Sequence, residues 1–221
     1  MRGRNTRSLH RTARLVCLAA VLVVMGTLVS ACGAPSYRFT SNDADDLVFK
    51  IPRSWNLVKS GVPAQQDGTP APAGNWSAIY DGSSHPDAGH LGSAHTTAPV
   101  AWLRTFAVTK EEGQSVTEDA LRDLLLPVTP QGRLAALSSG LRGDGFRLIR
   151  SETLTSRTAT GVHVVFTYDF GGGTETFDKV AMLDRRLTRL HVLLVQCSAA
   201  CYDRQSRVIA DSISSFTVRK V

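Results

Sequence analysis

The stretch Gly161-Val162-His163-Val164-Val165-Phe166-Thr167-Tyr168-Asp169-Phe170, followed by Gly171-Gly172-Gly173, decides the fold class. Val162, Val164, Phe166 and Tyr168 recur every second residue, so they share one face of a strand. The three glycines form a hairpin turn, and Thr174 to Arg185 returns as the antiparallel partner. A phosphate-cradling glycine loop would open a helix after its strand. Here both flanks read as strands.

Outward from this hairpin the pattern stays β. Gly145 to Thr155 precedes it as a strand. Thr188 to Gln196 follows it, apolar on both faces through Leu190, Val192, Leu193, Leu194 and Val195. A strand apolar on both faces belongs in the middle of a sheet. Further upstream, Leu47 to Pro52, Ser54 to Val58, Trp76 to Tyr80 and Val100 to Thr109 read as strands. The segments 61–75 and 82–99 read as polar loops.

Helices fall in two places. Ser115-Val116-Thr117-Glu118 fits a capping box, with Val116, Ala120, Leu121, Leu124 and Leu125 at helical spacing and Pro127 as a stop. A second helix is expected from Thr129, with Pro130 at its first position. Leu134, Leu137 and Leu141 form its apolar stripe, and Gly140 or Gly143 ends it. Tyr202 to Ser214 predicts a closing amphipathic helix, with Phe216-Thr217-Val218 as a last short strand. The expected class is α+β: an α/β/α sandwich with a central, mainly antiparallel sheet covered by helices.

The N-terminal segment carries an address. Residues 1–14 hold five arginines and no acid, and Leu15 to Val29 is an apolar run broken by small residues. This is the layout of a secretory signal peptide. It ends in Val29-Ser30-Ala31-Cys32, which resembles the bacterial lipobox, where the chain is cut before the cysteine and the cysteine is acylated. The resemblance implies a lipoprotein signal over 1–31, lipidation of Cys32, a short tether over 32–42 and one globular domain over 43–221. An uncleaved span would need roughly 20 apolar residues, and the run is shorter.

Cleavage changes the charge. The chain has 25 basic and 19 acidic side chains, a formal +6. Without the five signal-segment arginines, 20 basic residues face 19 acidic ones, a net +1. A nucleic-acid partner then lacks its electrostatic footprint. Membrane attachment rests on acyl chains, at about 0.8 kcal/mol per buried methylene. The expected location is the extracytoplasmic face of the cell membrane. Arginine outnumbers lysine 20 to 5, a usage that with the lipobox points to an actinobacterium.

Only Cys197 and Cys201 remain after Cys17 and Cys32 are set aside. Two neighbouring cysteines outside the cytoplasm are expected to pair. Their three-residue spacing is not the redox motif, and no further ligands stand nearby for zinc.

The opening Phe49-Lys50-Ile51-Pro52-x-x-Trp55, the meander of long strands and the ending Ile209-Ala210-Asp211-Ser212-Ile213-Ser214-Ser215-Phe216 resemble the PsbP/Mog1-like fold. Actinobacterial lipoproteins of the LpqN group are of this type. The resemblance spans about residues 45–221. It implies mostly binding or assembly proteins, places Trp55 in the core and carries over no catalytic set.

Residue by residue, little chemistry presents itself. His85, His90 and His95, with Asp87, have zinc-ligand types, but the segment lacks a rigid frame and reads as a solvated loop. No Gly-x-Ser-x-Gly is present. Ser84-His85 and His163 make no evident triad, and His163 is expected on an outer strand face. His191 reads as a structural edge residue. Trp76 and Trp102 read as core, with Trp76 near enough to the 61–75 loop to line a groove. The expectation is therefore no catalytic residues, no metal and no cofactor. The protein would bind an envelope protein or a lipidic ligand, and the alternative is an envelope hydrolase whose site the sequence hides.

Overall fold

The computed structural model describes residues 36–42, 47–63, 72–138, 144–170 and 172–219. The signal segment, Cys32, Gly140, Leu141, Gly143, Gly171 and most of the first polar loop lie outside these residues. Residues Tyr37–Val221 form one compact unit. No helix among the described residues is long and apolar enough to cross a membrane.

The strands are β1 (Tyr37–Asn42), β2 (Leu47–Pro52), β3 (Asn56–Gly61), β4 (Trp76–Asp81) and β5 (Val100–Ala107), then β6 (Asp144–Thr155), β7 (Ala159–Asp169), β8 (Thr174–Asp184), β9 (Arg189–Ser198) and β10 (Thr217–Val218). The helices are α1 (Lys110–Ser115), α2 (Glu118–Asp123), α3 (Pro130–Ser138) and α4 (Ala199–Ser214). Seven strands make one sheet in the order β3-β4-β5-β9-β8-β7-β6. Its neighbouring strands all run antiparallel. The apolar β9 takes the central position, as its sequence requires. A small sheet, β1-β2-β10, packs its buried residues into the same core as α4.

The two sheet faces bury two cores. Val162, Val164, Phe166 and Tyr168 of β7 pack with Leu121 of α2, Val128 and the β9 residues Leu190, Val192 and Leu194. Phe166 stacks on its cross-strand partner Phe177 with centroids 5.3 Å apart. The opposite face joins Leu193 and Val195 to Ile209 and Ile213 of α4 and to Leu47, Phe49 and Ile51 of β2. Fully burying such a side chain contributes about 1.5–3 kcal/mol. Trp55 is buried there too. Gly161 is required in β7: a Cβ at this position would stand 2.1 Å from the carbonyl oxygen of Ala181 on β8.

Four sequence expectations change. The segment assigned to the tether contains β1, paired with β2 along its whole length from Tyr37 to Asn42, so the folded domain includes residues before 43. Its polar look reflects an edge strand with one face in solvent, Phe39 being 76% exposed. The single helix from Ser115 is two short ones. The capping box lies earlier, with Thr109 as the cap and Glu112 reaching back to it. Thr117, not Ser115, caps α2. The leucines of α3 point outward: Leu134 is 66% and Leu137 57% exposed. Here helical spacing does not mark a buried face. His191 sits in the central strand rather than at an edge, and is 1% exposed.

The pairing of β7 with β8, Pro130 at the start of α3 and the closing helix match the sequence reading. Cys197 and Cys201 form a disulfide across the β9–α4 junction. Both are fully buried, and the Ser198 hydroxyl accepts from the Cys201 N–H at the cap of α4.

Candidate functional site

The antiparallel register assembles a polar cluster on the α4 face of the sheet. His163 of β7 stands opposite Glu152 of β6, and Val165 opposite Asp178 of β8. His163 and Asp178 are thus diagonal neighbours, within reach for long side chains. His163 Nε2 lies 2.7 Å from Asp178 Oδ1, and its Nδ1 lies 3.8 Å from Glu152 Oε2. The Tyr202 hydroxyl donates to Asp178 Oδ2 at 2.7 Å. Tyr202 comes from the first turn of α4, which the disulfide ties to β9. Burial, reinforced by the Asp178 charge and hydrogen bond, pushes the Tyr202 phenol well above its ordinary pKa. It is therefore a fixed proton donor.

This cluster closes one side of an open groove of about 760 Å³ between α4 and the strands β6, β7 and β8. Leu154, Val165, Val180, Met182 and Ile213 supply much of its apolar lining, and Ile149, Arg150 and Glu152 also line it. The size is that of a small-molecule site, and an apolar wall with a few placed polar groups suits one. His163 therefore faces a groove, with its side chain only 13% exposed, rather than an outer strand face.

Among the described residues no free nucleophile joins the histidine. Ser206 and Ser214 line the groove, but their hydroxyls donate to Asp203 and Asp211 carbonyls of their own helix. Ser84 Oγ and His85 Nδ1 are 3.0 Å apart on an exposed loop.

The histidine loop is framed rather than loosely solvated. Two buried carboxylates hold it. Asp81 accepts from the Ser83 and Asp87 N–H groups and bonds His90 Nδ1 at 2.6 Å. Burial alone would push the Asp81 carboxyl up, but these donated hydrogen bonds outweigh it and hold the pKa below the usual range. Glu175 accepts from the N–H groups of His95 and Thr96 and from the Thr96 hydroxyl. His95 adopts a left-handed φ of 102° and packs its ring against Gly172, where a Cβ would stand 2.3 Å from Nε2. Among the described residues no group of three histidine, cysteine or acidic side chains is placed to hold a metal.

The fold now has relatives. No family model matches the sequence, and no curated protein matches it. Solved structures do. Cyanobacterial PsbP from Synechocystis superposes with a TM-score of 0.53 at 12% identity, over 86% of this chain and 96% of that one. The Ran-binding protein Mog1p of Saccharomyces cerevisiae gives 0.48 at 8% identity, over 85% and 97%. The chain has a PsbP/Mog1-like α+β fold. Identity this low speaks to the fold, while function lives in the site.

Proposed function

We propose that this protein is a lipid-anchored, non-catalytic binding module of the cell envelope, and that its groove takes the apolar part of an amphiphilic, lipidic molecule. The observation that carries the reading is the groove itself: about 760 Å³, walled by Leu154, Val165, Val180, Met182 and Ile213, with Tyr202, Asp178 and His163 along one side. An acyl or similar body gains by leaving water for those walls. A hydroxyl-bearing head would meet the polar cluster and the rim charges Arg150 and Glu152. The lipobox-like Val29-Ser30-Ala31-Cys32 supports anchoring at Cys32, which would hold the groove near the membrane and raise its effective concentration there.

The test has two arms. Cys32→Ala should abolish fatty-acid labelling of the chain; unchanged labelling refutes the anchor. Ala210 is exposed on the groove wall. Ala210→Trp should fill the groove, and lipid extracted from purified protein should fall at least about tenfold against wild type, a loss of about 1.4 kcal/mol. Equal lipid recovery from both refutes the groove.

One observation favours a hydrolase instead. A buried carboxylate orienting a histidine is how general bases are held. Turnover of ester or phosphate substrates that His163→Gln abolishes, with the fold retained, would establish that reading.

A further inference from the structure

The sheet face turned away from α4 carries a second pocket, of about 260 Å³, where β3, β4 and β5 lie side by side. Ile79 and Trp102 are cross-strand partners in it, and Ser77 and Arg104 form another pair. The Trp102 indole N–H donates to Ser77 Oγ at 2.9 Å, which fixes the ring. Leu91, from the pinned histidine loop, and Lys59 of β3 complete the part that matters here.

Arg104 is held unusually. Its guanidinium lies 5.2 Å from the Trp102 centroid and 4.4 Å from that of Phe106, the aromatic residues two before and two after it on β5. Guanidinium groups stack well on aromatic rings. Its Nε is buried and makes no hydrogen bond. Burial lowers its pKa. Lys59 adds a second cation, and no acidic residue lines the pocket among the described residues. A partly dehydrated guanidinium without a counter-ion is costly to keep.

We propose that this pocket binds an organic oxyanion, a carboxylate or a phosphate, whose apolar body lies on Trp102, Ile79 and Leu91. The guanidinium fork takes two oxygens of the head, and Lys59 adds a point charge. The aromatic residues hold the fork in place before the anion arrives, which lowers the ordering cost of binding. The site lies across the sheet from the groove, so it stands or falls separately from it.

The full chain in a non-ionic detergent is titrated with inorganic phosphate, phenyl phosphate and benzoate. The readout is the Trp102 indole N–H resonance, assigned by its loss in Trp102→Phe. A saturable shift is expected with at least one organic anion, stronger than with inorganic phosphate and weakened by salt. Phenyl phosphate above benzoate identifies a phosphate site, and the reverse a carboxylate site. Arg104→Gln should weaken binding at least about tenfold. Lys59→Ala, at an exposed position that leaves the fold alone, should weaken it several-fold and decides the matter if Arg104→Gln does not fold. No saturable shift with any of the three anions, or binding unchanged by Lys59→Ala and by a folded Arg104→Gln, overturns the proposal.

Discussion

The Tyr202 hydroxyl donates to Oδ2 of Asp178 at 2.7 Å, joining the first turn of α4 to the middle of β8. One bond thereby couples helix docking to the shape of the groove. Asp178 keeps its second oxygen for His163.

Tyr202→Phe removes this bond while leaving the ring. A hydrogen bond to a charged group contributes about 1.5–3 kcal/mol, and partial exposure here brings the expected loss nearer 1–2 kcal/mol. Urea unfolding should show a lower midpoint with an unchanged slope. The raised Tyr202 pKa also means the folded state holds this proton more tightly than the unfolded one. Its contribution is complete below pH 10 and is lost above it, so the variant should lose less stability than wild type in alkali.

His191 should weaken the fold in acid. Its ring is buried, contacts the Thr105 hydroxyl through Nδ1 and leaves Nε2 without a hydrogen bond. Burial lowers its pKa to about 4 from 6.5. Between these values the unfolded chain binds the proton and the folded chain does not. Stability therefore falls as pH drops from 6.5 to 4, by about 3 kcal/mol from this group. Unfolding midpoints of His191→Gln should show a flatter acid limb than wild type. Parallel limbs would contradict the assignment.

Lys179 makes the opposite sheet face sensitive to alkali, with a favourable sign. Its ammonium is buried and donates to the carbonyls of Arg122 and Leu124 at the end of α2. Burial lowers its pKa to about 7 from 10.5, Asp123 opposing the shift. Between those values the unfolded chain holds the extra proton, so stability rises with pH from 7 towards 10. Two pH units correspond to roughly 3 kcal/mol. Lys179→Met should remove the rise, read as urea midpoints at pH 7 and pH 9.

Much of this was legible in the sequence. Alternation in 161–170 and the apolar run of 188–196 reported the sheet and its centre, because strand period and burial leave a direct mark on residue order. The groove cluster was not legible. The glycines mark a turn without fixing its register, and it is the pairing of Asp169 with Thr174 that sets His163 opposite Val180 and diagonal to Asp178. Tyr202 was hidden as well, since only the docking of α4 on β8 and β9 brings it there. The outward Leu134 and Leu137 show the converse failure. Helical spacing reports a face, and packing alone decides whether that face is covered. The strand at 37–42 was hidden because an edge strand needs few apolar residues.

The central claim is that the groove under α4 takes an apolar ligand. The most direct measurement is the Met182 methyl resonance of the full chain, assigned by Met182→Leu, during titration with lysophosphatidylcholine below its micellar concentration. Met182 is 6% exposed and lines the groove beside Val180 and Ile213. A saturable shift in wild type that is absent in Ala210→Trp, with equal melting temperatures, is the predicted result. A Met182 resonance unmoved in wild type, or moved equally in both proteins, would contradict the account.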